Sequence, residues 1–317
     1  MTVETATAPQ SVAGATSRRR RRKRTTAAAR RGSIIGFLAP FGILFAAFYL
    51  LPIGYALYRS FFVTRREGAF GAATEVWGGL QNYQRALEDS EFVSSIGRML
   101  LFGVVQVPVM LLLALAFALL LDSGAARLKR FFRLAYFAPY AVPSVIAAIM
   151  WGFLYAPSLS PFVDILRDIG IGINFLDSGT VLWSMANIVT WTYTGYNMLI
   201  IYAALQAIDS DLSEAARLDG ANGWQIAWRI KVPIIRPALI LTGVFSIIGT
   251  LQLFTEPQVL RSVTTSITST YTPNLFAYSQ ASANNYSYAA AISILLAVTT
   301  AALSFAFLRF VNRRSQP

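Results

Sequence analysis

The chain has 317 residues, 55% of them apolar and 13% charged, with 27 Lys and Arg against 15 Asp and Glu and neither Cys nor His. A soluble domain of this length carries about twice that charge, so the composition points to a polytopic membrane protein. The missing Cys and His exclude thiolate chemistry and the common zinc sites, and none of Lys23, Lys129 and Lys231 stands in a phosphate-binding loop, so neither an ATP site nor any cofactor is expected.

The net charge of +12 is clustered rather than spread over a face, which argues against nucleic acid as a partner. Of the 27 basic residues, 20 fall in four segments: Arg18–Arg31, Arg127–Arg133, Arg217–Arg236 and Arg309–Arg314. Alternation of these with neutral or acidic loops fits the positive-inside rule and predicts that all four are cytoplasmic. Residues 1–31 read as a disordered basic cytoplasmic tail, first of all a topology determinant, with binding of anionic membrane lipids by its Arg run as the alternative, and no cleavable signal peptide is expected. The remainder, 32–317, reads as one transmembrane domain.

Six spans are predicted, at about 33–58, 95–121, 133–156, 181–206, 237–258 and 287–308, each near the length needed to cross hydrocarbon. Kinks are expected at Pro40, Pro52, Pro108, Pro139 and Pro143. An even number returns both termini to the cytoplasm. Outer loops then cover 59–94, 157–180 and 259–286. In the first, Leu80, Tyr83 and Leu87 recur at helical spacing and predict a short amphipathic helix on the outer surface. SPFVDILRDIGI in the second has a similar pattern.

Polar groups inside spans are costly and mark candidate sites. In span four Asn187, Thr190, Thr194 and Asn197 share a face, with Trp191, Tyr193 and Tyr196 beside them. Aromatic rings paired with amides and hydroxyls suit a sugar, whose C–H face stacks and whose hydroxyls both donate and accept. The same residue types also link neighbouring helices. In span five Gly249, Gln252 and Glu256 share a face. Gln106 in span two is read as a packing residue, and Tyr288 as an interfacial anchor.

Between spans four and five lies EAARLDGANGWQIAWRIKVP, from Glu214 to Pro233. It predicts two short helices, the first capped by Asp211 or Ser213 with Glu214 in its first turn. Gly220 and Gly223 are expected to allow the reversal, and Pro233 to end the second helix. Ala215, Leu218, Trp224 and Ile226 form an apolar stripe that reads as a contact surface.

This segment resembles the EAA loop of ATP-binding-cassette (ABC) importer permeases: Glu-Ala-Ala, three residues, Gly, nine residues, Ile-x-Leu-Pro. Glu214, Ala215, Ala216, Gly220, Ile230 and Pro233 match position by position, and Val232 replaces the Leu. Asp219–Ala221 and Pro237 resemble the carbohydrate-uptake branch, as do GLQNYQRALED at Gly79–Asp89 and QLFTEPQVL at Gln252–Leu260. The Gly-Gly-Gly-Pro that commonly follows in that branch is replaced by RSVTTSITSTYTPN. The resemblance covers roughly residues 33–311. It implies an all-α polytopic permease of about six transmembrane helices in the bacterial cytoplasmic membrane, with a cytoplasmic coupling helix. It implies as partners a second homologous permease, two ATP-binding subunits and an extracytoplasmic solute-binding protein. Glu214, Ala215, Ala216, Asp219, Gly220, Gly223 and Pro233 would then couple to the ATPase, and Trp191, Tyr193, Tyr196, Asn197, Gln252 and Glu256 would line the path of a di- or oligosaccharide. An importer of phosphate esters is the nearest alternative, although no span carries Arg or Lys at mid-depth. A secondary transporter or an intramembrane transferase would need more ionisable groups than these spans hold.

Overall fold

The computed structural model describes residues 34–66, 73–123 and 128–313. The basic tail, Arg127 and Arg314 lie outside the described residues. The chain divides after Tyr58 into two units. The first is carried by α1 (Ile34–Arg59), an apolar helix with no buried side chain. Phe41, Phe45 and Tyr49 stack one turn apart along it, at 5.9 and 5.4 Å. A π-turn at Ala46–Leu50 precedes Pro52 and relieves the clash of its ring with the turn before.

The second unit opens with β1 (Phe62–Arg66) and β2 (Ala73–Trp77), an antiparallel hairpin with Phe62 opposite Trp77. This hairpin departs from the all-helical expectation, its strands being too short and too charged to stand out in the sequence. Helix α2 (Gln81–Glu88) follows as predicted, but with a different inner face. Asn82 and Ala86 are buried while Leu80 and Leu87 remain exposed. The cause is hydrogen bonding: Asn82 Nδ2 donates to the carbonyls of Ser60 at 2.9 Å and Phe62 at 2.7 Å, tying the helix to the base of the hairpin.

Helix α3 (Ser90–Asp122) starts where the Asp89 carboxylate accepts the N–H groups of Glu91 and Phe92 at 3.0 and 3.3 Å, and it runs unbroken past Pro108. The next predicted span is broken. Helices α4 (Lys129–Ala141) and α5 (Ser144–Tyr155) meet at 93°, with Pro139 in the last turn of one and Pro143 capping the other. Helix α6 (Pro161–Asp168) occupies the second loop, and α7 (Val181–Gln206) coincides with predicted span four. Helix α8 (Ser210–Leu218) leads to α9 (Gly223–Ile226), a π-turn (Ala227–Lys231) and α10 (Val232–Ile234). The expected fifth span is interrupted at residues 252–254, between α11 (Arg236–Leu251) and α12 (Thr255–Leu260). Helices α13 (Pro273–Ser282) and α14 (Tyr286–Arg313) complete the chain.

Among the described residues, α1, α3, α11 with α12, and α14 are long and apolar enough to cross a membrane, and the bent α4–α5 pair passes the same test when its two helices are taken together as one broken span. Helix α7 is 26 residues long and uncharged, but its Trp, Tyr, Thr and Asn residues keep it less apolar than those four. It is nevertheless the most enclosed element. Small residues explain the closeness: Ala114 and Ala118 of α3 are fully buried against Met198 and Ile201 of α7. On the other side, a Cβ on Gly195 would sit 1.8 Å from the Tyr136 carbonyl oxygen, so α4 crosses α7 at backbone contact. A second cluster joins Met99 and Phe102 to Met185, Ile188, Leu260 and Leu275. Tyr288 belongs to a third, and the anchor reading is corrected. It is 1% exposed, with the Arg85 guanidinium 4.1 Å above its ring and its hydroxyl 3.4 Å from the Asp89 carboxylate.

Candidate functional site

Two features assemble residues that the sequence singles out. The first is a cavity of about 240 Å³ between α7 and the α11–α12 interruption. Tyr193, Tyr196 and Asn197 line it from α7, and Gly249, Gln252 and Glu256 line it from the other side. The interruption matters here. Gln252 has left helical geometry and is exposed, whereas Glu256, in the first turn of α12, is 5% exposed. Asn274 Nδ2 donates to the Gln252 carbonyl at 2.7 Å and fixes the turn. Gly249 has open space where a Cβ would stand. Asn197 donates to the Tyr193 carbonyl at 3.1 Å and points an N–H at the Met110 sulfur, 3.8 Å away. Among the described residues, no Arg or Lys lines this cavity, so Glu256 is its one charged group.

Asn187, Thr190 and Thr194 of α7 are used internally. Asn187 donates to the Tyr155 hydroxyl at 2.7 Å, and Thr194 back-bonds to the Thr190 carbonyl at 2.6 Å. Gln106 bridges three helices: its amide donates to Thr190 at 3.3 Å and accepts from Thr250 at 3.2 Å. Trp191 does not line the cavity and packs edge-on against Trp151 at 5.8 Å. Tyr140, which sequence reasoning missed, stacks on Tyr196 at 4.8 Å and meets Tyr193 at 5.8 Å. Ser144, Ser246 and Thr250 were also missed as lining residues. For Tyr140 and Ser144 the signal was present: the Pro139–Pro143 pair breaks the helix there and turns its end toward α7.

The second feature is the segment from Asp209 to Ile235. Asp209, rather than Asp211 or Ser213, caps α8, accepting the Asp211 N–H at 3.0 Å. Helix α8 therefore begins earlier than expected, and Glu214 falls in its second turn. Its C-terminal end is a Schellman turn. Gly220, at φ +84°, donates to the Arg217 carbonyl, and Ala221 donates to the Ala216 carbonyl. The left-handed φ requires Gly220, but no such conformation occurs at Gly223, whose surroundings are open. What starts α9 is a capping box: Gln225 N–H donates to Asn222 Oδ1 at 2.9 Å, and Asn222 N–H to Gln225 Oε1 at 2.8 Å. Pro233 lies inside α10, and the chain bends two residues later at Ile235. Ala216 and Ile226 are buried, whereas Ala215, Leu218 and Trp224 are exposed, Leu218 by 90% and Trp224 by 71%. Of the expected stripe, Ala215, Leu218 and Trp224 stay on the outer surface and Ile226 is removed from it, while Leu212 and Trp228 are exposed as well. Asp219 and Glu214 are exposed beside it.

A chain of long apolar helices around a partly polar cavity, with an ordered polar loop, defines a multi-pass membrane transport component. Residues 111–316 match the family of binding-protein-dependent transport system inner membrane components, and the chain belongs to that family. It is 32% identical to the sn-glycerol-3-phosphate transport system permease UgpA of Agrobacterium fabrum, over 87% of this chain and 94% of that protein. It is 32% identical to the lactose transport system permease LacF of Rhizobium radiobacter, over 85% and 90% respectively. The fold is similar to that of a chain of a bacterial ABC transporter involved in alginate import, with TM-score 0.78, 20% identity, and coverage of 93% of this chain and 100% of that one. The protein is thus a permease subunit of an ABC importer in the cytoplasmic membrane, and not an enzyme.

Proposed function

We propose that this permease forms half of a translocation path for a neutral di- or oligosaccharide. It works with a second homologous permease, two ATP-binding subunits and an extracytoplasmic solute-binding protein. The carrying observation is the cavity lining: Tyr193, Tyr196, Asn197, Gln252 and Glu256 offer rings, donors and acceptors with no cationic side chain. A phosphate or carboxylate would be left without a counter-charge and would face Glu256. Trp191 packs on Trp151 away from this lining and is left out of the path. A second reading, transport of a phosphate ester, draws on the relative from Agrobacterium fabrum, and it requires the partner permease to supply the cation.

Glu214, Ala215, Ala216, Asp219, Gly220, Gly223 and Pro233 belong to the loop that carries closure of the ATPases into the membrane. The exposed Leu218 and Trp224 are the apolar contact such a joint needs. Residues 1–31 are a basic tail, 32–317 are the permease domain, and six crossings leave both termini cytoplasmic. Reporter fusions after Lys23 and Arg314 test this topology. An external signal from either fusion overturns it.

The substrate test uses the full importer in proteoliposomes with lactose and with glycerol phosphate. Gln252→Ala and Glu256→Gln are each expected to lower uptake of the neutral sugar by about tenfold, the loss of one hydrogen bond. Unchanged uptake in both variants moves the site to the partner permease. Faster uptake of glycerol phosphate than of lactose by the unmodified protein favours the second reading.

A further inference from the structure

Asp122, the last residue of α3, is 8% exposed at its side chain, which is uncommon for a carboxylate at a helix end. Both its oxygens are engaged. Oδ1 accepts from Gln206 Nε2, at the end of α7, at 2.8 Å. Oδ2 pairs with the Lys231 ammonium, itself 19% exposed, in the π-turn between α9 and α10. One carboxylate thus joins two membrane helices to the second half of the loop between spans four and five. A polar cavity of about 420 Å³ separates this junction from α8, and Ser213, Glu214 and Arg217 line its other wall. Helix α8 stands across a gap, while α9 and α10 are tied to α3.

We infer that the Asp122–Lys231 ion pair is a positioning contact, which makes the α9–α10 half of the loop move with α3 and α7 while α8 is displaced against it. The inference rests on the coupling role proposed for the loop. Its chemistry is direct. A partly buried charged pair holds its geometry more firmly than an exposed one, and removing the cation leaves a carboxylate with only Gln206. The π-turn serves the same end. It inserts an extra residue's width into the helix at Ala227–Lys231, re-aiming Lys231 relative to a regular helix. Lys231 lies in the loop itself, so the pair acts through the loop it holds.

The test uses the full importer carrying Lys231→Gln, which keeps a hydrogen-bond donor but removes the charge. Two quantities are measured: hydrogen exchange over residues 223–234, and solute imported per ATP hydrolysed. Faster exchange in that segment, with α8 unchanged, and a fall in transport per ATP of roughly fivefold are expected, the lower end of energetic coupling between sites. Lys231→Arg should restore both. So should the charge-swapped Asp122→Lys, Lys231→Asp protein, because the Gln206 amide can turn to accept where it now donates. Unchanged exchange in Lys231→Gln overturns the inference. Faster exchange without loss of coupling also overturns it, provided that Gly220→Val uncouples in the same assay. If Gly220→Val is silent as well, the coupling role of the loop is what fails. Should Lys231→Gln not assemble, the swapped pair decides: recovery of assembly and coupling supports the pair, and no recovery rejects it.

Discussion

The loop from Asp209 to Ile235 and the cavity between α7 and α11–α12 are built in opposite ways. The turns of the loop are made of contacts between residues two to five apart, namely an Asp cap, a Schellman turn at Gly220 and a capping box at Asn222 and Gln225, and the Asp122–Lys231 pair anchors the second half from outside. The cavity joins residues from Met110 to Glu256, and it depends on backbone approach at Gly195 and on helix interruptions at 142–143 and 252–254. Locally coded helices keep their shape when their neighbours shift, so α8 and the α9–α10 half can each move as a unit. A site coded at long range changes shape whenever one wall moves, which suits a binding place that must open and close.

The sharpest way to break this contrast is Gly195→Ala. Its Cβ would meet the Tyr136 carbonyl at 1.8 Å, and backbone cannot yield as a side-chain tip does. We expect a loss of about 3 kcal/mol or more, read as failure of the purified protein to remain monodisperse in detergent on mild heating. Stability equal to the unmodified protein would mean that α4 and α7 are not in backbone contact. Next in size is Gly220→Val. A branched side chain at φ +84° costs about 1–2 kcal/mol, and the Schellman turn should open. The protein should reach the membrane yet bind the ATP-binding subunit weakly or hydrolyse ATP without transport. Normal assembly and transport in that variant would remove the loop from the coupling path. Asn222→Ala should cost about 1 kcal/mol by removing the cap of α9, seen as faster hydrogen exchange at 223–226 with transport only partly reduced. Smallest is Gly223→Ala. Because this glycine has ordinary backbone and open space, the change should be neutral or stabilise α9 by up to about 1 kcal/mol, measured as equal or slower exchange. A loss comparable to Gly220→Val would show that the two glycines are not as different as their conformations indicate.

The same contrast explains what could be read in advance. Helical spans, the loop between spans four and five and its Gly220 turn are short-range or compositional properties, and the sequence carries them openly. Tyr193, Tyr196 and Asn197 were legible because polar and aromatic residues in an uncharged helix are costly unless they face something. Trp191 carried the same signal but faces Trp151, since periodicity gives a face and not the neighbour that will cover it. Gln252 and Glu256 were expected one turn apart on a continuous helix, and they reach the cavity because the helix is interrupted between them. Asn82 shows the limit from the other side. Its amide closes the hairpin onto α2 through two carbonyls some twenty residues away in the chain, and nothing local announces it.

The right-angle meeting of α4 and α5 has one more consequence. Where a helix stops, its last carbonyls lose their partners; here the Val142 N–H serves the Pro139 carbonyl, and Pro143 has no N–H to offer. Bare carbonyls are tolerated at membrane depth only beside water or protein, and Ser144, immediately after the bend, opens onto the cavity. The bend therefore leaves backbone acceptors beside a polar cavity, which an unbroken helix at this point would have taken into its own hydrogen-bond ladder.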